Sequence, residues 1–309
     1  MQAASESSVE RPCPVCGARA YAHFADERID PARLDNFSHA SRKEPEFMCL
    51  RLVRCLGCDL VYAPIPPSVE SLRDAYAGAG FDSAMAAGAA ARTYAAALEK
   101  YVDRLSGRKA AVDVGAGDGA LLPWLRDRGF SPVIGIEPSY AAIEAASRDA
   151  RPMLRHGMFA PDMLDGATPS LICSFMALEH LAAPGDFVRM AWQLLEPGGM
   201  LALVVHNWRA PLNRLLGRHS PIIDIEHLQL FSPKSLGMLL ANAGFESIEQ
   251  ADLRNTYPLS YWLRLTPLPG RIKRGMTAAL ARLELADKPV SMRVGNLLAV
   301  GYKPMERVA

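Results

Sequence analysis

Short runs of apolar residues alternate with segments of helical periodicity from residue 109 onward. The segments between the runs predict helices, among them residues 140–150, 186–195 and 233–243. Strands that alternate with helices are typical of a parallel sheet. The pattern therefore predicts an α/β fold, with a Rossmann-like and mostly parallel sheet of seven strands and helices on both of its faces. The predicted strands are residues 110–114, 132–136, 153–155, 171–175, 200–205, 246–251 and 296–302.

The first third of the chain has a different pattern. Residues 68–105 are rich in alanine and poor in β-branched residues, so they predict helices. Residues 11–63 are rich in turn formers, and the prolines that follow them mark a boundary. Residues 254–293 form a basic insertion before the last strand. We therefore predict three parts: a ribbon over 1–66, a helical linker over 67–108 and the α/β domain over 109–309.

Composition and charge narrow the class of protein. Of the 309 residues, 50% are hydrophobic and 22% are charged, which is an ordinary globular composition. The net charge of +1 provides no extended basic field for nucleic acid. Residues 1–10 lack the basic and apolar regions of a signal peptide, and no apolar run approaches the roughly 20 residues that span a bilayer. We expect a cytoplasmic protein.

Four of the six cysteines form two C-x2-C pairs, Cys13 with Cys16 and Cys55 with Cys58. In a chain without an export signal, such pairs are more often metal ligands than disulfides. Four thiolates close a tetrahedral structural zinc site and leave no position for catalysis. We therefore expect a structural Zn²⁺. A zinc ribbon could also hold RNA, but residues 1–66 contain eight Lys or Arg against nine Asp or Glu, so they carry no basic patch.

A glycine-rich turn follows the first strand of the α/β domain, over residues 115–119. Glycine permits positive φ and close approach of a ligand, and the N-terminus of the next helix suits a carboxylate or phosphate. Twenty residues beyond Gly117, Glu137 ends the second strand. A carboxylate at that point can accept hydrogen bonds from ribose hydroxyls. The turn and the carboxylate together predict a nucleotide or nucleoside site.

The dinucleotide NAD is one candidate ligand, because Gly115, Gly117 and Ala120 satisfy the G-x-G-x-x-G/A pattern. Two residues argue against it. Asp113 places a charge where dinucleotide folds keep an apolar residue, and Gly119 adds a third closely spaced glycine. An NAD-dependent oxidoreductase is therefore a minor alternative.

Five motifs in order resemble those of class I S-adenosylmethionine (SAM)-dependent methyltransferases. The similarity covers about residues 109–253 and resumes at the last strand. The third and fifth motifs resemble the small-molecule branch that includes ubiquinone-type methyltransferases. The motifs are residues 113–119 (DVGAGDG), 135–139 (GIEPS), 178–181 (LEHL), 195–199 (LEPGG) and 226–232 (EHLQLFS).

The resemblance implies a role for each residue of the cofactor site. Glu137 would bind the ribose of SAM, and Met158 and Phe159 would line the adenine pocket. The methionine end of SAM would be held by Asp113 and by the backbone of Gly115, Ala116, Gly117 and Gly119.

The N-terminal ribbon is similar to one that precedes the methyltransferase domain in sugar C-methyltransferases of antibiotic pathways. Residues 54–62 (RCLGCDLVY), followed by prolines, carry this resemblance. Those enzymes are longer and have a further C-terminal domain. Sugar C-methylation itself is therefore not carried over to this chain.

Three histidines fall at loop ends where this fold binds its substrate, namely His180, His206 and His227. Histidine suits proton removal near neutral pH. We take His180 or His227 as the candidate general base, with Glu226 orienting either one; a structural role is the alternative for each. Tyr94 and Tyr101 could line the acceptor pocket, although packing in the core is favoured.

The expected function is O- or C-methylation of a small-molecule acceptor, such as a sugar, a nucleotide-linked sugar or a natural-product intermediate. Residues 254–293 hold eight Lys or Arg against two Asp or Glu, so we expect them to help bind an anionic acceptor through Arg271, Lys273 and Arg274. Because Tyr261, Trp262 and Leu263 lie nearby, peripheral contact with a membrane is a second interpretation. The alternatives are a non-catalytic SAM-binding regulatory or scaffolding module and an rRNA methyltransferase.

Overall fold

The computed structural model describes residues 9–35, 38–39, 46–81, 84–266 and 268–305. Parts of the predicted ribbon and linker lie outside the described residues, namely 1–8, 36–37, 40–45 and 82–83.

The strands and α-helices of the described residues are numbered in chain order. The strands are β1 (Tyr21–Ala25), β2 (Leu52–Cys55), β3 (Val61–Tyr62), β4 (Ala110–Val114), β5 (Val133–Glu137), β6 (Leu154–His156), β7 (Pro169–Phe175), β8 (Met200–His206), β9 (Gln229–Leu230), β10 (Glu246–Pro258) and β11 (Pro289–Tyr302). The α-helices are α1 (Val69–Ala77), α2 (Ala84–Val102), α3 (Leu122–Asp127), α4 (Tyr140–Glu144), α5 (Pro184–Leu194), α6 (Pro211–Leu216), α7 (Pro233–Asn242), α8 (Leu259–Arg264) and α9 (Gly270–Arg282).

A seven-stranded sheet forms the centre of the molecule, in the order β10-β11-β8-β7-β4-β5-β6. The five strands from β8 to β6 are parallel to one another. β11 runs antiparallel to both β8 and β10. The predicted α/β class with a mostly parallel seven-stranded sheet is therefore confirmed.

Both faces of the sheet are buried under helices, so the central strands are apolar without interruption. Leu201 and Leu203 of β8 enter one core, together with residues of α5 and α7. Ala202 and Val204 enter the other, together with residues of α2 and α3. Because successive strand residues point to opposite faces, one apolar strand supplies both cores.

Local hydrogen bonds decide where the predicted helices begin and end. Ser232 caps α7 by accepting from the amide of Ser235, and Gly244 with φ of 93° follows its end, as its sequence predicts. The helix predicted over residues 140–150 ends much earlier, because the hydroxyl of Ser147 accepts from the amide of Ala150 and forms a local turn instead.

The N-terminal region forms a second, antiparallel sheet in the order β1-β2-β3-β9. Its fourth strand comes from the α/β part of the chain, since Val61 pairs with Leu230. Cys13 and Val53 also belong to the same core cluster as Val112 of β4. The ribbon and the α/β part therefore share a sheet and a core.

The basic insertion is largely an extension of β10 and β11. Both strands run beyond the predicted 246–251 and 296–302, with Thr256 opposite Ser291 and Tyr257 opposite Val290. Exposed and buried residues alternate along the added part, so it lacks the continuous apolar run that marked the other strands. The helices α8 and α9 connect the two strands at the tip.

Candidate active site

A cavity of about 310 Å³ lies at the carboxyl edge of the parallel strands, where open α/β sheets bind their ligands. One part of its wall, which we call the cofactor half, is formed by five residues expected at a cofactor site: Gly115, Gly117, Glu137, Met158 and Phe159. Another part, which we call the acceptor half, is formed by Tyr76, His180 and Glu226. Because β5 and β7 flank β4 on opposite sides, the two halves lie on opposite sides of the glycine turn.

The glycine turn has the tight backbone that the sequence predicts. The amides of Gly115 and Ala116 both donate to the carbonyl of Ile136, at 2.9 and 3.1 Å. Gly115 has φ of 77°, and a β-carbon on it would lie 2.7 Å from the Cβ atom of Ala177. Only glycine fits this position, because any side chain would collide with the loop that follows β7.

Glu137 connects the end of β5 to the glycine turn. Its Oε2 atom accepts from the amide of Gly117 at 2.7 Å, and its Oε1 atom accepts from the amide of Ser139 at 2.8 Å. The residue is only 8% exposed, yet it lines the cavity. Two backbone donors thus hold the carboxylate in one orientation at the cavity wall.

Met158 and Phe159 line the cavity together with Phe187. The rings of Phe159 and Phe187 lie 5.4 Å apart, centroid to centroid. Outside the wall, the rings of His156 and Tyr140 stack with their centroids 3.7 Å apart. The wall at Met158, Phe159 and Phe187 is apolar and aromatic, which suits a flat heterocycle.

Three of the expected cofactor residues lie behind the cavity wall, namely Asp113, Ala116 and Gly119. Asp113 is buried at the end of β4. A β-carbon on Gly119 would lie 3.0 Å from Leu122 and 3.1 Å from Ala150, so this glycine permits close packing of the turn on the next helix.

His180 is held at both ring nitrogens. Its Nε2 atom lies 3.0 Å from the carbonyl of Met176, and its Nδ1 atom lies 2.9 Å from the hydroxyl of Tyr76. Nδ1 also lies 3.1 Å from the carbonyl of Glu226, so each ring nitrogen faces a backbone carbonyl that can only accept. Burial raises the pKa of Tyr76 well above its ordinary value, as does the charge of Glu226, so the hydroxyl stays protonated.

His227 and His206 lie behind His180, outside the cavity wall. The ring of His227 is 5.0 Å from those of both other histidines. Its Nδ1 atom bonds the carbonyl of Ile222 at 3.0 Å, and its Nε2 atom lies 3.8 Å from Glu226. Burial lowers the pKa of His206 to about 3, so this imidazole is neutral.

Two residues at or near the cavity were not predicted from the sequence. Tyr76 lies on α1 and reaches the cavity only because that helix folds over it. Glu179 is fully buried, and its Oε1 atom accepts from the amide of His206 at 2.6 Å. Burial raises the pKa of Glu179 to about 7. Glu179 belongs to the LEHL motif, but the motif does not indicate that its side chain accepts a hydrogen bond from the last residue of β8.

The tyrosines Tyr94 and Tyr101 are buried in the core formed with α2 and do not line the cavity. The ring of Tyr94 lies 4.8 Å from that of Phe175. Their contribution is packing between α2 and the sheet.

The two cysteine pairs converge on one point. The Sγ atoms of Cys13 and Cys58 are 3.5 Å apart, as are those of Cys16 and Cys55, and all four atoms lie within 4.8 Å of one another. In a tetrahedral site with bonds of about 2.3 Å, neighbouring sulfurs are separated by roughly 3.8 Å. The donor set therefore fits Zn²⁺ in number, type and spacing.

A half-buried arginine connects this ribbon to the cavity. Arg11 donates from Nε to the carbonyl of Ala63 at 2.9 Å, from Nη1 to the carbonyl of Ala182, and from Nη2 to Gln229 at 3.3 Å. Gln229 donates in turn to the carbonyls of Leu178 and Leu181, at 2.8 and 2.7 Å. The loop that carries His180 is thus held by hydrogen bonds from the ribbon side.

The family model described as a methyltransferase domain matches residues 86–250, which is more than half of the chain. The chain belongs to the methyltransferase domain family. Its sheet order and its cavity at the carboxyl edge agree with an enzyme that uses SAM, and the membership decides against an NAD-dependent oxidoreductase.

Two curated relatives are similar in sequence. A protein of Mycolicibacterium smegmatis named "Probable S-adenosylmethionine-dependent methyltransferase" is 25% identical over 64% of this chain and 73% of its own length. The ubiquinone biosynthesis O-methyltransferase of Caulobacter vibrioides is 31% identical over 34% of this chain and 41% of its own length.

Two solved structures are similar to this chain at low sequence identity. The YcgJ protein of Bacillus subtilis is 18% identical with a TM-score of 0.47, over 68% of this chain and 98% of that one. A SAM-dependent methyltransferase of Archaeoglobus fulgidus is 15% identical with a TM-score of 0.45, over 69% of this chain and 94% of that one. Among the residues that the structure describes, no helix is long and apolar enough to cross a membrane.

Proposed function

We propose that this methyltransferase acts on a small-molecule acceptor, at an oxygen or a carbon. The observation that supports this most is that one cavity of about 310 Å³ contains both the cofactor half and the acceptor half. This volume is at the lower end of the range for small-molecule pockets. The helix α1 and the loop after β7 both contribute to its walls, which favours a small acceptor over a macromolecule.

The cofactor half fits SAM, which supplies a methyl group on a positively charged sulfur. Glu137 binds the ribose hydroxyls, and Met158 with Phe159 borders the adenine. The backbone at residues 115–117 holds the amino-acid end, while Asp113, Ala116 and Gly119 shape the turn from behind. Such positioning, together with exclusion of water, accounts for most of the catalysis that methyl transfer needs.

In the acceptor half, His180 is the candidate general base. In the tautomer with its proton on Nε2, which donates to the carbonyl of Met176, Nδ1 can receive a proton. The Tyr76 hydroxyl lies 2.9 Å from Nδ1, and both side chains line the cavity. The acceptor's proton passes to the Tyr76 oxygen as the Tyr76 proton moves to Nδ1. The carboxylate of Glu226, 3.9 Å from Nδ1, stabilises the resulting imidazolium. His227 lies behind Glu226 and orients it.

A labelled-methyl transfer assay tests this function directly. Zinc-loaded protein is incubated with methyl-labelled SAM and a panel of nucleotide sugars, phenols and polyketide-like acids. We expect label in at least one class of acceptor, with a rate that depends on His180. Tight binding of SAM without transfer to any member would favour the non-catalytic SAM-binding module instead.

We also propose that Cys13, Cys16, Cys55 and Cys58 hold one structural Zn²⁺. The spacing of their Sγ atoms and the burial of Cys13, Cys55 and Cys58 support this. Metal analysis should find one zinc per chain, and Cys58→Ser should lose it and lower the melting temperature. Cys49→Ser, at a buried cysteine outside the cluster, is the matched control and should keep the metal. Full zinc content in Cys58→Ser would contradict the assignment.

A further inference from the structure

The helix α9 exposes an apolar stripe at the tip of the β10–β11 hairpin. None of its 13 residues is buried. Ile272 and Met276 are 49% and 44% exposed, and Leu283, which follows the helix, is 66% exposed. Residues four and eleven positions apart share one face of a helix. We call Ile272, Met276 and Leu283 the α9 stripe.

Basic residues border this stripe. Residues 270–282 contain Arg271, Lys273, Arg274 and Arg282 and no acidic residue. At about 100° per residue, Arg271 lies on one side of Ile272 and Lys273 on the other, where the Lys273 ammonium also donates to the carbonyl of Arg264 at 2.9 Å. The helix therefore combines an exposed apolar face with positively charged borders, which is the pattern of helices that lie in a membrane interface.

The preceding helix of the insertion, α8, packs inward against the β10–β11 hairpin. Trp262 and Leu263 of α8 are buried, and the indole of Trp262 donates to the carbonyl of Val290 at 2.8 Å. Of the three residues on which the membrane interpretation of this stretch rests, Trp262 and Leu263 pack inward and are not exposed. None of the described residues in the range 254–293 lines the cavity, so the cavity gives no support to the expected binding of an acceptor by Arg271, Lys273 and Arg274.

The hairpin also places α9 on the same side of the molecule as the cavity. Asn296 of β11 pairs with His206, the last residue of β8. Because β11 runs antiparallel to β8, residues 289–295 extend past the carboxyl edge of the sheet, at which the cavity opens.

We propose that α9 docks on an anionic membrane surface. The charge identifies the occupant. The exposed arginines Arg271, Arg274 and Arg282 outnumber the acidic Glu284 that follows Leu283, so this surface matches acidic headgroups, and the stripe matches the acyl boundary beneath them. A second copy of the chain is a poorer match, because a two-fold contact between α9 helices brings like charges together. This docking is independent of the methyl acceptor and goes beyond the proposed function.

Co-sedimentation of the full chain with vesicles tests the proposal. The vesicles contain phosphatidylcholine alone, or phosphatidylcholine with about a quarter of phosphatidylglycerol. We expect binding only to the anionic vesicles, with a loss of about tenfold or more in the double variant Ile272→Glu with Met276→Glu. The double variant Arg271→Glu with Arg274→Glu should lose a similar factor, and added salt should weaken wild-type binding.

Matched controls separate the stripe from general surface properties. Leu215→Glu changes an apolar residue that is 84% exposed on α6, and Arg148→Glu with Arg151→Glu reverses two exposed charges elsewhere. Both controls should bind like the wild type. Equal binding to neutral vesicles, or unchanged binding of the stripe variants, would overturn the proposal. So would light scattering that shows a dimer which the stripe variants dissociate, without binding to vesicles.

Discussion

The two halves of the cavity are built in different ways. The cofactor half comes from residues 115–159, a single stretch in which successive strands end side by side. The acceptor half is assembled from three separate segments, represented by Tyr76, His180 and Glu226. The first depends on local turns and strand ends, whereas the second depends on α1 and the ribbon packing against the sheet. Mutations should therefore affect cofactor binding and turnover separately.

His180→Asn should have the largest effect, a loss of turnover. Loss of a general base lowers kcat by about 100-fold or more, while the affinity for SAM stays within about twofold because the cofactor half is unchanged. Calorimetry for SAM and steady-state kinetics on the same protein measure both quantities.

His219→Asn is the control for that substitution, because His219 is exposed and lies outside the cavity wall. It should match the wild type in both measurements. A loss of SAM affinity in His180→Asn comparable to its loss of kcat would contradict the separation of the two halves.

Glu137→Gln should have the second largest effect, a loss of affinity for the cofactor. The substitution replaces a carboxylate that accepts two backbone hydrogen bonds with an amide that can accept at one atom only. Hydrogen bonds to charged groups contribute about 1.5–3 kcal/mol, so the Kd for SAM should rise roughly 10- to 100-fold. Glu144→Gln on the exposed side of α4 is the control. Unchanged affinity in Glu137→Gln would remove the basis for the ribose assignment.

Gln229→Leu should have the smallest of the three effects, a modest loss of kcat. The substitution removes the hydrogen bonds that join the ribbon to the loop that carries His180. The carbonyls of Leu178 and Leu181 lose their side-chain donor, so the loop is held less firmly. We expect kcat to fall about tenfold with little change in SAM affinity.

Gln250→Leu provides the comparison for this substitution. Its amide also donates to a backbone carbonyl, that of Pro233, but at an exposed site away from the cavity. It should leave kcat unchanged. An equal loss of kcat in both glutamine variants would show that general destabilisation, not loop positioning, is responsible.

The features that the sequence could predict are those that depend on neighbouring residues, not on contacts between distant segments. The glycine turn, Glu137 and the seven strands follow from short-range patterns, and the structure places them as expected in the sheet. Met158 and Phe159 line the cavity because they follow β6 at the same sheet edge.

Other features depend on contacts between distant segments. The two-residue strand β9 is too short for any periodicity, yet it joins the ribbon to the α/β part. Tyr76 looks no different in sequence from Tyr94, which packs in the core, because the position of α1 decides which of them reaches the cavity. The sequence also does not show that His180 lines the cavity whereas His227 is buried outside its wall, because this difference arises only on folding.

The central claim is that residues 115–119 and Glu137 form a pocket for SAM. Isothermal titration of the zinc-loaded chain with SAM and with its demethylated product, S-adenosylhomocysteine, tests it most directly, with NADH as the comparison ligand. The account predicts saturable binding of one SAM or one S-adenosylhomocysteine per chain and no binding of NADH. Folded, metal-loaded protein that binds neither sulfur compound would contradict it.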